Sequence, residues 1–181
     1  GWQLHASVAR GFEAPTLGEL AYRPDGSAGF NSDLQPQTSQ QLELGSKWRG
    51  ERFSLDVAAF AIRVKDELAV LTNSGGRSSF QNVGRTERLG AEVAGAWQLA
   101  PQWRTRFALS WLDASYQDDF LVCAGTPCSA PSVPVPAGNT IAGAQPRSAW
   151  IEAAWQGGGW GEWALEVRGV GQVAANDTNT A

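Results

Sequence analysis
Apolar and polar residues alternate in seven separate stretches of the chain. The first, Trp2 to Phe12, sets Trp2, Leu4, Ala6 and Val8 against Gln3, His5 and Ser7. Ser39 to Trp48 follows, with Leu42, Leu44 and Trp48 opposing Gln41, Glu43 and Lys47. From Phe53 onward, Phe53, Leu55, Val57, Ala59 and Ala61 share a face. The opposite face begins polar at Ser54 and Asp56 and turns apolar at Phe60, Ile62 and Val64. Thr86 to Leu99 and the stretch from Trp103 to Trp111 repeat the pattern, as do Arg147 to Trp155 and a last run around Trp163, Leu165 and Val167. A period of two over this length predicts β-strands, each with one apolar face. Leu44, Val57, Val93, Leu109, Ile151 and Val167 are expected on one side of the resulting sheet. Glu43, Asp56, Glu92, Arg106 and Glu166 are expected on the other.

The connections alternate strictly between short and long. Arg49 to Arg52, Ala100 to Gln102 and the glycine-rich Gln156 to Gly161 read as tight turns. Glu13 to Thr38, Lys65 to Arg85 and Asp113 to Pro146 are long. In an antiparallel meander, every short turn then falls at one end of the sheet and every long loop at the other. Transmembrane β-barrels have that asymmetry. Aromatic residues flank each short turn: Trp48 and Phe53, Trp97 and Trp103, then Trp155, Trp160 and Trp163. A tryptophan places its ring in the apolar side of a membrane interface and its N–H toward water, so this rank is expected to be an interfacial girdle. The fold class expected is therefore all-β, a segment of an antiparallel transmembrane β-barrel. A soluble β-sandwich is the competing architecture. The apolar faces mix Ala, Leu, Val and Gly with terminal Trp, which suits fluid lipid better than a close-packed core.

Composition narrows the function. The chain has 181 residues, a formal net charge of −4, Trp 9 and Met 0. An acidic balance without a Lys/Arg run argues against a nucleic-acid partner. The absence of methionine points to an internal piece of a longer protein. No apolar run is long enough for a transmembrane helix. The single histidine, His5, lies mid-strand on a polar face without the company that a catalytic or zinc site needs, so no enzyme activity, metal site or cofactor is expected. Cys123 and Cys128 are spaced for a loop-pinning disulfide in an oxidising compartment. The acidic pairs Asp66-Glu67 and Asp118-Asp119 read as solvated loop charge, and the Asn176-Asp177-Thr178 sequon is given no weight.

Several motifs bear a family resemblance. Arg10-Gly11-Phe12-Glu13-Ala14-Pro15, continuing to Glu19-Leu20, resembles a barrel segment of TonB-dependent outer-membrane receptors. Leu34, Pro36, Ser39 and Glu43-Leu44-Gly45 resemble the segment that follows, with Gln37 where the family often has Glu. Asn82-Val83-Gly84-Arg85 with Gly90-Ala91-Glu92, and Pro136 to Ile141 with Gly143 and Arg147, resemble later elements; Ala142 stands where Pro is common. The resemblance implies a barrel of about 22 strands around an N-terminal plug. This chain would supply about a third of its wall and belong to one barrel domain, without the plug or the final strands. It further implies an active-transport receptor in the bacterial outer membrane, with outer-membrane lipid, its own plug domain and the TonB complex as partners and a ferric siderophore or similar chelate as solute. Arg10, Tyr22, Arg23, Phe30 and Arg77 are candidates to meet such a chelate. A passive porin or barrel enzyme, and a soluble adhesin, are the alternatives.

Overall fold
The computed structural model describes residues 1–181 apart from 26, 28, 75, 124–129 and 181. All seven expected strands are present: β1 (Trp2–Glu13), β2 (Gln37–Arg49), β3 (Phe53–Lys65), β6 (Thr86–Ala100), β7 (Trp103–Tyr116), β10 (Arg147–Gln156) and β11 (Glu162–Val170). They form one antiparallel sheet in the order β1-β2-β3-β6-β7-β10-β11, an open meander with β1 and β11 at its edges. The long connections are more structured than the alternation shows. A short helix α1 (Leu17–Leu20) lies in the first. The hairpin β4 (Leu68–Ser74) and β5 (Arg77–Asn82) lies in the second, and the hairpin β8 (Phe120–Val122) and β9 (Val133–Val135) in the third.

Register confirms the assignment of faces. Directly opposed residues of an antiparallel pair share a face, and one unbroken line of them runs Trp2, Trp48, Leu55, Gly95, Phe107, Ile151, Val167. Leu44, Val57, Val93 and Leu109 lie on the same face as this line, and Glu43, Asp56, Glu92, Arg106 and Glu166 on the other. Two glycines make room on the polar face. A Cβ on Gly45 would meet the His5 ring at 2.1 Å, and one on Gly90 would meet Phe60 at 2.2 Å.

The turns have local causes. Gly50 N–H donates to Phe53 O at 2.8 Å, and Arg49 clamps both Asp56 oxygens at 2.8 Å across the β2–β3 turn. The β10–β11 connection needs left-handed backbone at Gly158 (φ 56°) and Gly161 (φ 86°), which glycine adopts without strain.

The core does not spread along the large sheet but sits at its loop end, where β7 finishes at Tyr116. It is a small cluster of Val83, Tyr116 and Val135, with Ala69, Phe120, Val122 and Ile141 against it, under the long loops. Among the described residues no second sheet covers the apolar face of the seven strands, because the other two sheets are the loop hairpins. Leu4 is 73% exposed there, Leu165 71% and Ile151 48%, whereas Glu152 on the polar face is 4% exposed. A monomeric soluble protein rarely leaves so large a contiguous apolar surface bare, and a sandwich would have packed it.

Candidate functional site
The apolar face has a defined border at each end. At the turn end the terminal aromatics are Trp2, Trp48, Phe53, Trp97, Trp103, Trp155 and Trp163, so Trp2 joins the rank read from the sequence. Trp48 and Phe53 have ring centroids 5.3 Å apart, Phe53 and Trp97 6.3 Å, and Trp103 and Trp155 6.5 Å. Trp160 lies in the turn itself and is fully displayed.

Relative to the line through Trp2 and Val167, these aromatics sit at the line on β1 and β2, two residues beyond it on β3 and β6, and four beyond it on β7, β10 and β11. Four residues of stagger over six strand-to-strand steps, at a rise of about 3.3 Å and a spacing of about 4.8 Å, is a strand tilt of roughly 25°. Strands of transmembrane barrels also tilt, by roughly 35–45°.

At the loop end the continuous stripe ends at Val8, Leu42, Ala61, Leu89 and Trp111, with Phe12 standing apart beyond Arg10 on β1, and the border shifts in the same sense. The apolar stripe is thus six to eight residue steps tall on β1, β2, β3, β6, β7 and β10. This is roughly 20–26 Å along the strand, close to the apolar band of an outer-membrane barrel.

On the polar face, Arg106 holds the buried Glu152 with two hydrogen bonds of 2.8 and 2.7 Å, and Arg104 reaches Glu162 at 3.2 Å. Arg106 also lies 5.7 Å above the Trp150 ring, whose Nε1–H donates to Glu166 at 3.2 Å. His5 faces this side and lies 3.4 Å from Glu43.

At the loop end the three connections are tied into one cap. Thr16 and Glu19 form a reciprocal capping box that sets α1. Buried Asn31 donates to Phe80 O at 3.1 Å. Asn82 accepts from Gln35 N–H at 2.8 Å and donates to Gln35 O and Asp66 O at 2.9 and 2.7 Å, which fastens the first loop to β5. Gln81 reaches Leu121 O at 3.0 Å, joining the two hairpins. Arg85 grips Asp118 through its guanidinium and its backbone N–H, and these bonds hold the Asp118 carboxyl down at about 2. Glu67 takes Arg88 at 2.6 Å and also accepts from Thr86. Tyr116 donates to Asp177 at 2.7 Å, and Asp119 accepts from Ala137 N–H at 2.7 Å. The acidic pairs expected as solvated charge are therefore corrected: three of these four carboxylates are structural fasteners, and Asp66 contributes its backbone carbonyl.

The structure brings some ligand candidates together and separates others. Arg77 lies 5.3 Å above the Tyr22 ring. Arg23 lines a cavity of about 370 Å³ beside Asp33, Phe80 and Asn82. Phe30 is exposed on the same loop. Arg10 is not part of this group, because its register partner is Gln40, on the apolar face. Cys123 directly follows β8, whereas Cys128 lies outside the described residues. Among the described residues no group of His, Cys, Asp and Glu could hold a metal, and no helix is long and apolar enough to cross a membrane.

Comparison with known proteins follows the same lines. A family model described as TonB dependent receptor-like, beta-barrel, matches residues 1–181. The ferric yersiniabactin uptake receptor FyuA from Yersinia pestis superposes with a TM-score of 0.66 at 18% identity, covering 99% of this chain and 25% of that one. The copper transporter OprC gives 0.64 at 18% identity, covering 87% and 22%. The siderophore receptor PirA from Pseudomonas aeruginosa gives 0.59 at 15%, covering 93% and 28%. The chain spans about a quarter of the length of these structures.

Proposed function
Because the chain belongs to the TonB-dependent receptor β-barrel family, whose members are outer-membrane transport receptors and not enzymes, we propose that it is part of the barrel wall and extracellular cap of an energy-dependent importer. The observation that carries this reading is the bare apolar stripe, bordered by aromatics at the turn end and by a hydrogen-bonded loop cap at the other. The stripe faces lipid and the polar face encloses the lumen, where Arg104, Arg106 and Glu152 meet the plug domain. The cap faces the medium.

The solute we assign is a ferric siderophore or similar chelate. Tyr22, Arg23, Phe30 and Arg77 offer cationic and aromatic surface, which suits an anionic or aromatic chelate. A bare copper ion would want soft sulfur or imidazole ligands, and this stretch has Met 0, His 1 and Cys 2, the two cysteines being the pair we assign to a disulfide. A solute that is scarce must be bound tightly, and tight binding slows release. Release then needs work supplied from outside the barrel, a role the family resemblance gives to TonB acting on the plug.

The test is uptake of labelled ferric siderophore by cells carrying the full receptor, with and without inner-membrane energy coupling. Surface binding is expected to persist in both, with uptake lost when coupling is broken. Undiminished uptake without coupling would instead indicate a passive pore.

A further inference from the structure
The loop-side border of the apolar stripe is not electrostatically even. The first residues past it on the same face are Arg10, Gln40, Arg63, Glu87 and Asp113 on successive strands. One step further lie Lys65, the end of β3, and Arg85, just before β6. The β1–β6 corner therefore gathers four cations on the outer surface of the sheet, around a groove of about 540 Å³. These residues are one to two rows beyond the last apolar ones, roughly 7–13 Å along the strand.

Their donors are largely uncommitted. Arg63 spends only Nε, on Glu87 at 2.9 Å, and its side chain is 78% exposed. Lys65 is 3.8 Å from Asp66 and 72% exposed. Arg10 takes part in no ion pair among the described residues. Only Arg85 is fully engaged, by Asp118. Both the terminal guanidinium nitrogens of Arg63 and the whole fork of Arg10 remain for an anion. Paired forks of that kind suit phosphate oxygens.

Resting on the proposed lipid-facing orientation, we propose that this corner is a binding site for a phosphate-bearing lipid headgroup of the surrounding leaflet, held by Arg10, Arg63 and Lys65. The placement is what selects a lipid over a soluble anion. The cations point outward from the sheet, away from the polar face, at the level where a bilayer's headgroups begin. Phe12, exposed one row above Arg10, supplies the aromatic neighbour common at that level.

The experiment uses the full receptor in nanodiscs of phosphatidylcholine containing either phosphatidic acid or oleate as a minor lipid. Lipid retained on the protein is counted by native mass spectrometry. Wild type should retain phosphatidic acid in preference to oleate, and added inorganic phosphate should not displace it. Joint Arg10→Gln, Arg63→Gln and Lys65→Gln should reduce retention about tenfold or more, the equivalent of losing charge-assisted bonds from two or three donors. Glu87→Gln, which removes the competing carboxylate, should increase retention, an effect that misfolding cannot imitate. Equal retention of oleate, displacement by inorganic phosphate, or indifference to the triple substitution would each overturn the headgroup site while leaving the barrel reading intact. Failure of the wild-type receptor to insert into either disc would overturn both.

Discussion

Val93 lies at the centre of the apolar stripe, four residues from Leu89 at one border and four from Trp97 at the other, between Val57 and Leu109 on the neighbouring strands. Four steps are roughly 13 Å along the strand, or about 12 Å in depth at the tilt derived above. An arginine there cannot carry its charge to either border without distorting the bilayer. Val93→Arg should therefore cost about 2–4 kcal/mol, the range for a cation at the midplane of a barrel. Leu89→Arg, at the loop-side border, should cost only about 0–1 kcal/mol. Ala94→Arg, one residue along but on the polar face opposite Asp56, should change stability by no more than about 0.5 kcal/mol. The assay is reversible denaturant unfolding of the full receptor in phospholipid vesicles. If the stripe faced water, Val93→Arg would be an ordinary surface substitution within about 0.5 kcal/mol. Equal effects for Val93→Arg and Ala94→Arg would refute the assignment of faces.

Three further outcomes follow from the loop cap. Asn82→Ala removes the two hydrogen bonds that fasten Gln35 of the first loop to β5 and a third to Asp66, and should speed amide exchange at Gln35 and Asn31 at a local cost of about 1–3 kcal/mol; unchanged exchange would mean that the fastener is not used. The Arg85–Asp118 pair depresses the Asp118 pKa, so its contribution is complete above about pH 4, the ordinary aspartate value, and is lost as pH falls through about 2. Amide exchange at Arg85, whose N–H the carboxylate accepts, should report that loss, and Arg85→Gln should move it up toward pH 4. We also propose a Cys123–Cys128 disulfide, which peptide mass spectrometry of alkylated, non-reduced receptor should show as a linked pair; two alkylated thiols would contradict it.

The sheet was legible because each strand meets two different surroundings, one on each face, and period-two alternation records that contrast directly. The strand set Leu44, Val57, Val93, Leu109 could be placed on one face before any register was known, since a one-residue slip would have sent it to the other. The loop hairpins were not legible. Leu68 to Leu71 is a continuous apolar run with no alternation, and β8 and β9 are three residues each, with Pro134 in the second. The fasteners of the cap were hidden for another reason. Asn82 and Gln35 are 47 residues apart, Arg85 and Asp118 33, Tyr116 and Asp177 61, and no local spacing marks such pairs. Arg10 reads as a ligand candidate in the sequence because it is a cation beside the loop motif. Its parity with Val8 and Leu4, which the alternation already contained, places it on the outer face instead.

The most direct test of the central claim is the face-by-face accessibility of spin labels placed singly along the wall of the full receptor in vesicles. Labels at positions 44, 57, 93, 109, 151 and 167 should relax strongly with oxygen, which partitions into lipid, and weakly with a water-soluble nickel chelate. Labels at positions 43, 56, 92, 106 and 166 should show no such preference for oxygen. If both sets relaxed alike, or if the first set favoured the chelate, the stripe would not face lipid and the account of this chain as a barrel wall would be wrong.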